Sequence, residues 1–418
     1  MPSALRFALD RHTWLTPVVL LLGLAALFPA IYLSATVDPQ SNLDGLPVAL
    51  VVEQQTVDGP AAATLASAIE EAVDPVAIAL ERLSPSELAT SIQQNAVAGA
   101  VIVPADFTAS IASLLPGGPG PATLPEVQIR TNAGDGGLSN GLVTGNLSPA
   151  LAAVQQAFGA QLSATAARSG AQVEDARAYL LGTPFTVRAS AYSALPDNSG
   201  FGTSAFYYSL VLVLLGFVGA SVVNPLVDSA LGFAPSELGP LVARRDYLRL
   251  GRRSTLLTKF AVITAASPFA ALITQLVAGP LVGIPIPDPL QLWLFSTAVV
   301  AAIGTSALAV FAIFGGGIGS LVNTVFFIAL SMTSSGGTVP IQAVPPFFRW
   351  LAEFEPFRAV IDGVRAILYF DAIPAAGLTE GWIRVGVGAA IGIAVGVAVT
   401  TFYGRRRIFS RHPRPVGS

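Results

Sequence analysis

Six long apolar runs punctuate the chain, at about 14–37, 204–226, 256–280, 290–314, 317–334 and 382–403. Each approaches the length of roughly 20 residues that spans a hydrocarbon core as a helix. The fifth is the shortest. Its Gly315-Gly316-Gly317 entry and Ser334-Ser335-Gly336-Gly337 exit predict close packing or a broken end. Between the first and second runs the period changes. Residues 46–52 (LPVALVV) read as a short buried strand, 61–73 (AAATLASAIEEAV) as a helix and 76–83 (VAIALERL) as strand-like. Ser84-Pro85-Ser86-Glu87 is a capping box with Pro at the first helical position, opening a helix to about Asn95. A strand over 97–103 follows, then a helix from Pro104 to near Leu115, and a Pro/Gly linker or hairpin-like excursion over 116–125. A strand over 126–131 and a long Ala-rich helix over 147–180 complete the segment. Alternating strands and helices predict a small α/β layer domain over 38–203.

A second polar interruption follows the fifth run. It turns at Gly336-Gly337 and Pro340, breaks at Pro345-Pro346, and continues as an aromatic stretch to residue 370. There Phe347, Trp350, Leu351, Phe354, Val360, Ile361, Val364 and Leu368 recur at helical spacing, which predicts an outer amphipathic helix over 345–370 lying half in lipid. Glu355, Arg358, Asp362 and Arg365 stand three or four residues apart with alternating sign. Two readings stay open for this helix: a gate, with Phe347, Trp350, Phe354, Glu355, Arg358, Asp362 and Arg365 as its working residues, or a loop helix packed on its neighbours.

Composition sets the class. Of 418 residues 53% are hydrophobic and 11% charged, with mean hydropathy +0.66. Soluble domains carry about 25% charged residues, so this is an α-helical polytopic membrane protein of six transmembrane helices, with an α/β domain between helices 1 and 2. The first run competes with a cleaved signal peptide; its length favours an uncleaved helix. The expected divisions are 1–37 (N-terminus and first helix), 38–203 (α/β domain), 204–404 (helices 2–6) and a basic 405–418 tail. Residues 1–12, the 227–255 loop and the tail hold twelve Arg against four acids, whereas 38–203 holds fifteen acids against five Arg. The positive-inside rule places both termini and the loop in the cytoplasm of a plasma (inner) membrane protein, and the α/β domain outside.

Several chemistries drop out. Without cysteine there is no disulfide, thiolate metal site or cysteine nucleophile. His12 and His412 lie at opposite ends of the chain, so no catalytic or metal cluster is expected, and the chain reads as no enzyme and as needing no cofactor. A net charge of −3 gives no reason to expect nucleic acid. Lys259 is the single lysine and lacks the Gly-rich context of a phosphate-binding loop. The 236–259 stretch, with Arg244, Arg245, Arg249, Arg252 and Arg253, predicts a short basic amphipathic helix; Arg clusters beside membrane spans also serve topology and anionic-lipid contact. Asn224 and Asn323 are the costliest polar residues within the spans and the candidates for an inner path. Lys259 is expected to snorkel to the surface, and no buried carboxylate is expected that could relay a proton.

LPVALVVEQQ after the first span, AVAGAVIVPADF some fifty residues on, and SSGGTVPIQAVPPFFRWLAEFEPFRAVIDGVRAIL resemble three marks of one family. It is the YhgE/Pip-like (phage-infection-protein-like) branch of type-2 ABC-exporter permeases, with the fungal nitrosoguanidine-resistance family as a relative. The resemblance runs nearly the length of the chain, and the third motif is the most specific. Glu53-Gln54-Gln55 departs from the Asn-Glu-Asp usual there. The resemblance implies the permease subunit of an ABC-type exporter for an amphiphilic, lipid-like or drug-like compound, a homodimer or a pair with a related permease in the bilayer, and a separate ATPase subunit docking on a coupling helix at the 236–255 loop. The alternative is an envelope assembly or secretion scaffold, or a receptor-like protein without its own transport.

The Arg asymmetry yields a test of orientation. Cysteines introduced at Ser91 and Ser139 should react with an impermeant thiol reagent in intact cells, and one at Ser254 should not. Labelling at Ser254 alone would invert the topology.

Overall fold

The segment between the first two apolar helices folds around a mixed five-stranded sheet. The computed structural model describes residues 11–53, 60–168, 175–238, 241–243 and 245–406. Helix α1 (Arg11–Thr36) leads into β1 (Leu46–Val52), α2 (Pro60–Ala72), β2 (Ile78–Arg82), α3 (Pro85–Gln93), β3 (Gly99–Val103), α4 (Phe107–Leu114) and β4 (Glu126–Thr131). Helices α5 (Gly137–Arg168) and α6 (Asp175–Gly182) precede β5 (Thr186–Ala191). The strand order is β2-β1-β3-β4-β5, all neighbours parallel except β3 and β4. Strands β1 and β3 are buried on both faces, which explains their unbroken Val/Ile/Leu runs. Ser84 and Glu87 form the full capping box at the start of α3.

Two parts of this segment differ from expectation. The long helix begins at Gly137, ten residues earlier than its Ala-rich pattern suggests, and ends at Arg168. Its glycine-rich first turns have low helical propensity, but Leu142, Val143 and Leu147 are buried in the sheet core, and packing overrides propensity. Strand β5 has no period-2 signal because its residues are exposed or half-buried; it is defined by pairing with β4. Ser139 is buried with its hydroxyl on Asp135, so Ser91 is the accessible position for labelling.

Among the described residues, six helices are long and apolar enough to cross a membrane. They are α1, α7 (Ser204–Ala230), α8 (Arg252–Leu276, extended by a π turn to Leu281), α9 (Pro289–Phe314), the broken span from Gly316 to Thr333, and α13 (Leu378–Arg405). The chain is a multi-pass membrane protein. Helix α9 is its hub: 56% of its most apolar window is buried inside the protein, against 11 to 33% for the others. Helix α13 can lie close to it because it presents glycine at the contact. A Cβ at Gly392 would stand 2.5 Å from Ser306 Oγ, and one at Gly396 2.9 Å from Ala309 Cβ.

The fifth span is α-helical only as α10 (Gly316–Thr324), then widens to a π-helix over Val325–Leu330 and closes with one turn to Thr333. The Phe326 carbonyl accepts from both the backbone N–H of Ser331 and, at 2.7 Å, its hydroxyl, which ties down the end of the irregular turn. Tyr32 of α1 donates to the carbonyl of Ile328 in the same segment. Beyond it, Gly336 adopts φ +69, and a side chain on Gly337 would collide with Phe206.

At the opposite end of the bundle the chain departs from the expected amphipathic helix. Strands β6 (Ser236–Leu238) and β7 (Leu241–Ala243) form an antiparallel pair, residues 245–250 are irregular, and α8 starts at Arg252. Gly251 is extended (φ −69, ψ 159) and stands as the N-cap of α8, so the helix does not reach back into the basic stretch.

Lys259 does not snorkel. It is 4% exposed, its ammonium donates to Asn224 Oδ1 at 2.7 Å, and it pairs with Asp228 Oδ1 at 2.8 Å. The reason is geometric: α7 runs on to Ala230, which carries Asp228 into the bundle where it meets α8. Removing one partner of a buried pair is destabilising, by about 3 kcal/mol or more. Lys259→Met should therefore lower the melting temperature in detergent sharply, and Lys259→Met with Asp228→Asn should recover part of the loss. Equal melting of the single and double variants would show that the two charges are not coupled.

Candidate functional site

The stretch after the fifth span forms two helices rather than one: α11 (Pro346–Ala352) and α12 (Pro356–Tyr369). Pro356 lacks an N–H and restricts the residue before it, so Glu355 is extended (φ −87, ψ 128) and caps α12 instead of continuing α11. Its carboxylate accepts from the N–H of Phe357 at 2.8 Å and of Arg358 at 3.4 Å. The expected half-lipid face splits at this elbow. Phe347, Trp350 and Phe354 remain more than half exposed and pack on one another, with ring centroids 6.2 and 5.3 Å apart. Val360, Ile361, Val364 and Leu368 are buried in the bundle core with Phe206 and Phe295. Helix α12 is an internal element, whereas the elbow and α11 show aromatic rings to the surroundings.

A buried carboxylate does exist, contrary to expectation. Glu355 is 1% exposed. Burial pushes its carboxyl from an ordinary 4.5 up to about 7; the Ser331 hydroxyl, the N–H groups of Phe357 and Arg358 and the charge of Arg384 oppose this only in part.

The other charges of α12 converge on the sheet. Arg365, 4% exposed, donates from Nη2 to the carbonyls of Asp135 (3.1 Å) and Gly337 (3.3 Å), and its Nη1 lies 3.5 Å from the Asp135 carboxylate and 3.8 Å from that of Asp362. Arg358 faces Asp362 at 3.7 Å. Between them and the loop ends of β1 and β3 lies a polar cleft of about 340 Å³, lined by Gln94, Asn95, Asp135, Ser335, Gln342, Arg358, Asp362 and Arg365. Sequence reasoning missed Gln94, Asn95, Asp135 and Gln342. Their only local mark was turn chemistry, Asn95 at φ 52 and Asp135 ahead of a left-handed Gly136.

The N-terminal end of α12 borders a different space. An apolar groove of about 290 Å³ runs between α9, the π-helical segment and α13, with Phe354, Pro356 and Arg384 at one end. Phe326, Val395, Gly388 and Gly392 form part of its wall. Arg384 is tied down by Glu380 at 2.5 Å and by the carbonyls of Ala352 and Glu353.

The remaining candidates do not gather into a site. Asn323 is buried and donates to the Ala307 carbonyl in α9, while Asn224 accepts from Lys259, so the two asparagines make separate contacts. Arg245, Arg249 and Arg253 are exposed, Arg252 lies over the Tyr403 ring at 5.7 Å, and Arg244 falls outside the described residues.

A family described as "protein of unknown function (DUF3533)" matches residues 17–388, from the first apolar helix into the last. The chain belongs to the DUF3533 family. No curated protein gives a significant match. The match covers the polar cleft and the α12 helix of this DUF3533 protein, and the apolar groove as far as Gly388.

Glu355 makes the elbow of this DUF3533 protein sensitive to pH. With its pKa raised, the folded state holds a proton between pH 4.5 and about 7 that the unfolded chain has lost. The stability linked to this group is complete below pH 4.5 and declines by roughly 3 kcal/mol as pH rises to 7. Wild type should lose more melting temperature than Glu355→Gln over that interval. Parallel pH profiles of the two would contradict burial of an uncharged Glu355.

Proposed function

We propose that this protein is the membrane permease subunit of an ABC-type exporter that moves an amphiphilic, lipid-like or drug-like compound out of the cell. The carrying observation is the position of α12, with an apolar groove at its first residue and a polar cleft along its charged side. An amphiphile needs both environments on one route, the first for its chain and the second for its head. The motif resemblance to YhgE/Pip-like permeases supports the same reading. In this reading the α/β domain and α12 lie outside the plasma membrane, both termini lie inside, and the protein works as a homodimer or beside a related permease. Without a phosphate-binding loop of its own it draws energy from a separate ATPase subunit, which docks on the 236–255 loop.

The buried Glu355 and the Lys259–Asp228 pair favour a second reading, in which a proton gradient drives the same movement. Proteoliposomes separate the two. The chain co-purified with its partners in mild detergent should move a fluorescent amphiphile with ATP and not with an imposed proton gradient; the opposite result selects the second reading. A Cβ on Gly388 meets nothing within 4 Å, so Gly388→Phe should fill the groove without disturbing the helices and slow movement about tenfold, or about 1.4 kcal/mol. Gly386→Phe, equally unobstructed on the same helix but outside that groove, is the control. No movement under either energy source, together with a stable complex of secretion components, would replace the permease with an assembly scaffold.

A further inference from the structure

The charges around the polar cleft are balanced but not clamped. Some oppositely charged groups elsewhere meet at hydrogen-bond distance, Lys259 to Asp228 at 2.8 Å and Arg82 Nη2 to Glu70 at 2.7 Å, whereas the exposed Arg188–Glu126 pair stands at 3.9 Å. In the cleft the three pairs among Arg358, Asp362, Arg365 and Asp135 stand at 3.5, 3.7 and 3.8 Å. Charge-assisted hydrogen bonds are about 2.7–2.9 Å long. Asp135 and Arg365 meet part of their capacity elsewhere, on Ser139 and on two backbone carbonyls. The side chains of Arg358 and Asp362, 39 and 29% exposed, make no hydrogen bond to protein among the described residues. Burial still raises the Asp362 carboxyl although Arg365 and Arg358 both oppose it, with Asp135 adding to the rise.

A lone anion approaching Arg358 would meet Asp362 and Asp135, and a lone cation approaching the carboxylates would meet Arg358. Only a ligand carrying both signs satisfies both. The volume of 340 Å³ holds a headgroup-sized molecule, since it corresponds to roughly eleven waters at about 30 Å³ each. Gln94, Asn95, Ser335 and Gln342 add amide and hydroxyl groups for its neutral atoms.

We propose that the cleft between the sheet and α12 binds a zwitterionic group, its anionic centre on Arg358 and its cationic centre on Asp362 and Asp135. This names the head of the amphiphile and rests on the permease reading for how that molecule is used. The same chemistry is offered by a zwitterionic lipid headgroup and by a free zwitterion.

The test is equilibrium binding to the full chain in nanodiscs of phosphatidylglycerol. Glycerophosphoethanolamine should bind at least tenfold more tightly than glycerophosphate or ethanolamine alone, about 1.4 kcal/mol or more. Arg358→Gln and Asp362→Asn should each weaken it about tenfold. Ala96→Trp, at an exposed position on the cleft wall, should block binding while leaving every charge in place, and covers the case in which a charge variant fails to fold. Glycerophosphate binding as tightly as the zwitterion, no binding of the zwitterion, or full binding by the Ala96→Trp protein would each overturn the proposal. Displacement of the soluble probe by phosphatidylethanolamine added to the nanodiscs assigns the site to a lipid head. Absence of displacement, with the probe bound, assigns it to a free zwitterion. Movement without zwitterion binding would leave the permease and remove this site; binding without movement would do the reverse.

Discussion

The arrangement depends on one buried cation. Arg365 projects from an apolar helix inside the bundle, and its guanidinium reaches the Asp135 carbonyl on the sheet side and the Gly337 carbonyl after the fifth span. A guanidinium only 4% exposed is tolerable when its donors are met and carboxylates stand near. Two carbonyls take hydrogen bonds from Nη2 and two carboxylates stand near Nη1, while Nε has no partner among the described residues; the two carbonyl bonds register the sheet against the helices. Phe370 fills the space over Gly134, and the Tyr369 hydroxyl donates to the Ser199 carbonyl, so the joint is apolar around its polar centre.

Helix α12 consequently has two roles that a surface helix could not combine. Its apolar residues complete the core around α9, and its charges form the floor of a polar cleft. The elbow at Glu355 makes this possible by turning the chain inward after the exposed aromatic rings of α11. The elbow sits beside Ser331, at the end of the π-helical stretch of the fifth span. Irregular backbone at membrane depth is tolerated where protein surrounds it or it lines a cavity. Here it borders the apolar groove, so the irregularity, the groove and the buried carboxylate occupy one neighbourhood.

Charge inside the bundle is sparse but deliberate in placement. At one end Lys259 and Asp228 hold α7 to α8 by a direct contact, while at the other the charges of α12 are spaced too widely for direct hydrogen bonds. The first arrangement is a direct ion pair; in the second Arg365 is held by two backbone carbonyls, and the Arg358 and Asp362 side chains make no hydrogen bond to protein among the described residues.

Periodicity and composition alone determined the membrane class, the apolar helices, the strands β1 to β4 and the Ser84 cap, because each depends on residues within a few positions of one another. The same local logic identified the charge ladder of α12 but misjudged its setting. Helical spacing reports which residues share a face; it does not say what covers that face, so Val360 and Ile361 read as lipid-facing although they are core. Strand β5 was illegible because its stability comes from pairing with β4 rather than from its own pattern. Lys259 read as snorkelling because its partner, Asp228, is 31 positions away in sequence and adjacent only once α7 and α8 pack. The cleft was likewise beyond local reading: Asp135 and Arg365 are 230 residues apart, and only the docking of the sheet on the bundle makes them neighbours.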